Sequence, residues 1–162
     1  MSNFSSNNVV FADKSSVTTA SGGKSPEVGT IKQFEDGNVY EYVYNDGTAD
    51  LYPARGCVLE AGSGAANGHI AASNVTSVEL LYGVCKHATI AAGSYGWVVK
   101  KGLTKVEMEA DNSGVTGALL ILATDGEFAN KTSGIAFIAP AQAQLMESAA
   151  SGASALAYVS VY

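Results

Sequence analysis

From Thr30 to Tyr162 the chain is cut into short apolar stretches by turn residues, and this punctuation restricts it to folds built from many short strands. Val39-Tyr40-Glu41-Tyr42-Val43-Tyr44 is bracketed by Asp36-Gly37 and Asn45-Asp46-Gly47. Such Asx-Gly pairs supply the positive φ that a tight turn between strands requires. Successive strand side chains point to opposite faces, so Tyr40, Tyr42 and Tyr44 share one face and Val39, Glu41 and Val43 the other. Thr104 to Ala110 repeats the pattern: Thr104, Val106 and Met108 oppose Lys105, Glu107 and Glu109, and Asp111-Asn112-Ser113-Gly114 closes the stretch. Ala155 to Tyr162 alternates in the same way. Cys57 to Leu59, Val75 to Cys85, Tyr95 to Lys100 and Ile135 to Ile138 are further strand candidates, and the apolar run Gly117 to Ala123 reads as a strand buried on both faces. Turn signals at roughly 8–12-residue spacing predict an all-β fold, a compact barrel or sandwich. One short C-terminal helix is predicted over Ala141 to Ala150, with Pro140 at its first position and Gly152 as its stop.

The first segment, Met1 to Gly29, lacks this alternation. It is mostly Ser, Asn, Thr, Gly and Ala around one apolar patch, Val9-Val10-Phe11. Such a composition buries too little apolar area to fold alone. Residues 1–29 therefore read as an extended N-terminal arm ahead of a β-rich domain at 30–162. Two readings of the arm are open. It is a disordered terminus, or it orders against a neighbouring subunit with Val9, Val10 and Phe11 as the anchor.

Charged residues make up 15% of the chain against 47% hydrophobic, where soluble domains carry about 25% charged residues. Small, weakly solvated residues fill the gap, and such a surface suits contact with other protein surfaces. The net charge of −6 argues against nucleic acid, which needs clustered Lys and Arg, and against anionic membranes. The longest apolar run, Ala118 to Ala123, is too short to span a bilayer. No secretory signal is visible, so Cys57 and Cys85 are expected as free thiols in a reducing cytoplasm.

No motif carries catalytic chemistry. Gly23-Lys24-Ser25 resembles the tail of a phosphate-binding loop, but Thr18 stands where the loop needs its first glycine. Gly62 to Gly68 is one residue off a dinucleotide fingerprint and reads as a loop. Cys57, His69, Cys85 and His87 are the soft metal ligands, and the close pair Cys85-x-His87 is too tightly spaced for a structural zinc site. Glu107 and Glu109 lie on a solvated strand face, and nothing resembles a nucleophile elbow. The expectation is a protein that is not an enzyme, with no metal and no cofactor. The face of Tyr40, Tyr42 and Tyr44 is either half of a barrel core or a contact surface.

The stretch Thr89-Ile90-Ala91-Ala92-Gly93-Ser94-Tyr95-Gly96-Trp97-Val98-Val99-Lys100-Lys101-Gly102, preceded by Gly83-Val84-Cys85, resembles the small head decoration (cement) proteins of tailed bacteriophages. Tyr40-Glu41-Tyr42-Val43, Ala49 to Leu59 and the Ala-rich end from Ala141 to Tyr162 resemble other parts of that family. The resemblance implies a protein on the outer surface of the virion capsid, made in the host cytoplasm. It also implies a partner, the major capsid protein, whose subunits are bridged and so stabilised, and a homo-oligomer, with a trimer above a dimer. It carries over no catalytic residue. Its structural residues are Gly93, Tyr95, Gly96 and Trp97. Physically, Ala91-Ala92-Gly93 makes a turn, Gly96 allows a close backbone approach, and Trp97 is a core anchor or an intersubunit contact. Val9, Val10, Phe11, Tyr40, Tyr42 and Tyr44 are the candidate capsid or subunit contacts. Two alternatives stand beside this reading. One is a virion surface module for host glycans, with Tyr40, Tyr42 and Tyr44 beside Asp46 and Asp50 as a sugar shelf. The other is a different head or tail structural subunit.

Overall fold

A computed structural model describes residues 18–19, 26–60, 69–72, 80–131 and 142–161. The strands are β1 (Thr18–Thr19), β2 (Ile31–Gln33), β3 (Val39–Asn45), β4 (Gly56–Leu59), β5 (His69–Ala72), β6 (Gly83–Cys85), β7 (Ser94–Glu107), β8 (Leu119–Leu122), β9 (Phe128–Asn130), β10 (Ala143–Leu145) and β11 (Ser154–Ser160). Helix among the described residues is confined to one 3-10 turn at Thr124–Gly126. The architecture is all-β, as the alternation predicts.

Five strands close a barrel. β3 pairs with β7, β7 with β6, β6 with β4, β4 with β5, and β5 returns to β3 as a parallel pair. A ring this small is filled by side chains. Each strand sends one inward: Val43, Cys57, Ile70, Cys85 and Val98, all fully buried. Leu51 and Ile90 complete this core, and their backbones exchange two hydrogen bonds of 3.0 and 2.9 Å.

The remaining strands are organised by β7, which is 14 residues long and runs past the barrel. Its second half pairs with β11, and the sheet continues through β10 and β8 to β9. A parallel bridge from Met108 to Phe128 brings β9 back to the end of β7. These strands enclose a second core that includes Val106, Met108, Leu120, Phe128 and Leu145, with Val84 packed in from the outside of the barrel. The expected alternation holds here: Thr104, Val106 and Met108 are buried while Lys105 is exposed. Arg55 joins the two parts, donating to Glu107 at 2.9 Å, to Glu127 at 3.0 Å and to the Asp125 carbonyl at 3.2 Å.

The predicted C-terminal helix is overturned. Ala143–Leu145 is a strand held between β8 and β11, and the described residues from Gln142 to Ala150 contain no helix. Helix propensity is a weak prior that sheet pairing overrides. Ala143 and Leu145 face the core while Gln144 faces out, a period of two that the Ala-rich composition hides. Tyr95 to Lys100 and Thr104 to Ala110, read as two strands, are largely one continuous strand. Of the segment read as an arm, Thr18 and Thr19 pair with Tyr95 and Ser94, and Gly29 donates to Tyr42. The Val9-Val10-Phe11 patch, Gly23 to Ser25, the Gly62 to Gly68 loop, Val75 to Glu79 and the strand expected over Ile135 to Ile138 lie outside the described residues, and of the strand expected over Val75 to Cys85 the described part is strand at Gly83–Cys85.

Both thiols are buried and free. Cys57 Sγ donates to the Gly83 carbonyl at 3.4 Å and Cys85 Sγ to the Ala88 carbonyl at 3.0 Å. Burial disfavours their thiolates, pushing Cys85 up to about 12 and Cys57 higher still. The thiolate is the reactive form. Ellman's reagent at pH 8 is therefore expected to leave both thiols of the native protein unlabelled over an hour and to label both in denaturant. Rapid labelling of either thiol in the native state would contradict the barrel interior described above.

Candidate interaction surfaces

The outer face of the barrel brings together the two groups of residues singled out in the sequence. Register pairs Tyr42 with Trp97 and Tyr44 with Tyr95, so the tyrosines of β3 and the aromatic residues of β7 stand side by side. Phe34 packs edge-on against Trp97 (5.3 Å between centroids) and Tyr40 (5.1 Å). Tyr42 meets Trp97 at 5.1 Å and stacks on Tyr95 at 6.0 Å; Tyr44 meets Tyr95 at 4.7 Å and His69 at 5.2 Å. The result is a ribbon of rings along the outside of the barrel.

Most of this ribbon is internal to the subunit. Tyr40, Tyr42 and Trp97 are 0, 2 and 4% exposed, whereas Tyr44 and Tyr95 are half-buried. An exposed shelf of three tyrosines, as sugar stacking would need, is not formed. The Tyr40 hydroxyl donates to Asp36 at 2.6 Å and lies 3.1 Å from His87 Nε2. Burial and the Asp36 carboxylate push its ionisation above the usual phenol range. Gly93 adopts the left-handed turn that opens β7, at φ +73°. Gly96 is pressed against Ile90, where any Cβ would lie 2.6 Å from the isoleucine side chain. Cys85 and His87 are not brought together: the thiol joins the barrel core, and the imidazole stacks on Tyr40 outside it.

A second surface was not visible in the sequence. Across the outer face of the second sheet, Leu103 of β7 pairs with Tyr158 of β11, Tyr158 with Gln144 of β10, and Gln144 with Leu119 of β8. Cross-strand partners share a face, so these four form one row. Leu103, Tyr158 and Leu119 are 44, 39 and 46% exposed. Met146, 48% exposed, lies one step beyond Leu145 and donates its backbone N–H to Leu156. Lys101 and Lys105 flank Leu103 on the same strand, and both are exposed. Single exposed apolar residues are ordinary, whereas a cluster of them is what a contact surface presents; here Leu103 and Tyr158 are adjacent and the polar Gln144 separates them from Leu119. Period-two alternation at Tyr158 was the available signal; the alignment of three distant strands was not.

Neither a family model nor a curated protein matches the chain. Among solved structures, the chain is similar to the crystal structure of the head fiber gp8.5 N base in bacteriophage phi29, with a TM-score of 0.53 and 12% sequence identity. The likeness covers 75% of this chain and 94% of that one. At this identity it is a likeness of fold.

Proposed function

We propose that this chain is a structural protein of a tailed-phage head, held on the outer surface of the capsid shell, where it stabilises the shell by bridging major capsid subunits. The observation that carries the proposal is the fold shared with the base of a head fiber. The low charge fraction and the apolar row on the second sheet support it. The row is the face that meets the shell or a second subunit, with Tyr158 at its centre as the large amphipathic anchor. A protein that binds the assembled lattice and not free subunits stabilises the lattice by mass action. A homo-oligomer, a trimer above a dimer, would multiply that gain through avidity. Weakly solvated small residues desolvate at little cost as the contact forms.

The test uses Leu103→Asp. Leu103 is exposed, so the melting temperature is expected to stay within a few degrees of the parent. Binding to purified heads that lack the protein is expected to weaken at least tenfold, a loss of about 1.4 kcal/mol or more. Unchanged occupancy on heads would remove the row from the contact.

A further inference from the structure

A cavity of about 600 Å³ opens at the start of β3, beside β2, the Lys100-Lys101 stretch of β7 and the end of β11. This size lies in the range of small-molecule sites. Its walls are Val28, Ile31, Val39 and Val161, and Tyr82, Glu41, Lys100 and Lys101 also line it. Glu41 and Lys100 are an ion pair at 3.4 Å, with side chains 7 and 10% exposed. The Lys100 ammonium sits 3.3 Å from the centroid of the Tyr82 ring, and the Tyr82 hydroxyl donates to Glu41.

The charges lining this cavity do not sum to zero. Two lysines, of which Lys101 is exposed, and one carboxylate line it, which leaves one positive charge over. The Glu41 carboxylate is shared between Tyr82 and Lys100. An ammonium has three N–H donors. Lys100 has one long ion pair and one ring face, which leaves donor capacity toward the cavity. An anion beside it can accept an N–H that the ion pair and the ring leave over.

We propose that this cavity is a binding site for a small amphiphilic monocarboxylate, its anion taken by Lys100 and Lys101 and its apolar chain by Val28, Ile31, Val39 and Val161. One negative charge balances the surplus, and the aliphatic walls offer the chain no polar partner. A cationic amphiphile of the same length meets two lysines and is repelled.

The experiment titrates the full chain with sodium octanoate, following the valine and isoleucine methyl signals by NMR, with octylamine as the control. Octanoate is expected to bind saturably and to shift the methyl signals of Val28, Ile31, Val39 and Val161; octylamine is not. The double variant Glu41→Gln/Lys100→Met removes the pair without leaving a lone buried charge, and its affinity for octanoate is expected to fall at least tenfold. Lys101→Glu changes an exposed residue, so it tests the same site if the double variant does not fold, with an expected loss of threefold or more. Failure of octanoate to saturate, equal binding of octylamine, or undiminished affinity in the folded variants would overturn the proposal.

Discussion

Replacing Trp97 with alanine is expected to lower the free energy of unfolding by about 3–5 kcal/mol, the cost of truncating a buried tryptophan where the surroundings relax only partly. Trp97 is 4% exposed and makes edge contacts with Phe34 and Tyr42. Each such aromatic pair is worth about 0.5–1.5 kcal/mol beyond the area it buries. The loss is therefore larger than at an isolated apolar site, because Phe34 and Tyr42 both lose a partner. Tyr40, which packs on Phe34 from the other side, loses support indirectly. Trp97→Phe keeps a ring in place and is expected to cost less than half as much. Urea unfolding of the three proteins measures this directly. A Trp97→Ala variant that loses less than about 1 kcal/mol yet no longer binds heads would make the ring an intersubunit contact.

Gly102→Ala is expected to be nearly as damaging, at about 3 kcal/mol or more, although it adds a single methyl group. Gly102 has φ +125° where β7 leaves the barrel and enters the second sheet. A backbone strained in this way costs about 1–3 kcal/mol for a residue with a Cβ. That Cβ would also overlap the Asn38 side-chain oxygen and lie 2.7 Å from its Cγ. Asn38 is 3% exposed, and its amide acts as a short length of strand: Oδ1 accepts from the Leu103 N–H at 2.9 Å and Nδ2 donates to the Leu103 carbonyl at 2.8 Å. Displacing it breaks two hydrogen bonds worth about 0.5–1.5 kcal/mol each. Asn38→Ala alone is expected to cost about 1–3 kcal/mol. The double variant should cost less than the sum, since both changes remove the same contacts. Strict additivity in denaturant titrations would show that Gly102 and Asn38 do not form one joint.

This joint marks the border of what the sequence made legible. Alternation over Thr104 to Met108 placed Val106 and Met108 in a core, because a period of two is local and each strand displays it alone; over Val39 to Tyr44 it sorted the two faces but left open which one enters the barrel, and Val43 does. Tyr95 to Lys100 and Thr104 to Ala110 read as separate strands, because nothing local shows that Lys101-Gly102-Leu103 continues the first into the second. Lys100 is tolerated there by Glu41, which is distant in sequence, and Gly102 supplies the bend. The helix expected over Ala141 to Ala150 failed for the converse reason. Its residues favour helix locally, and only the flanking β8 and β11 decide otherwise. Barrel closure through the parallel pair of Tyr44 with His69 left no local mark either. The aromatic residues of β3 and β7 were found separately; their common face depends on the register between two strands. The row from Leu103 to Leu119 is the extreme case, since it exists only after four strands have paired.

The central claim is that the protein belongs to the outside of a phage head, and electron microscopy of particles made with the gene intact and with the gene deleted tests it most directly. The account predicts density matching the barrel and second sheet on the outer surface of the intact shell, in contact with major capsid subunits, and bare shells that break at lower temperature when the gene is deleted. Identical shells in the two preparations, or density of this shape inside the head or on the tail, would contradict it.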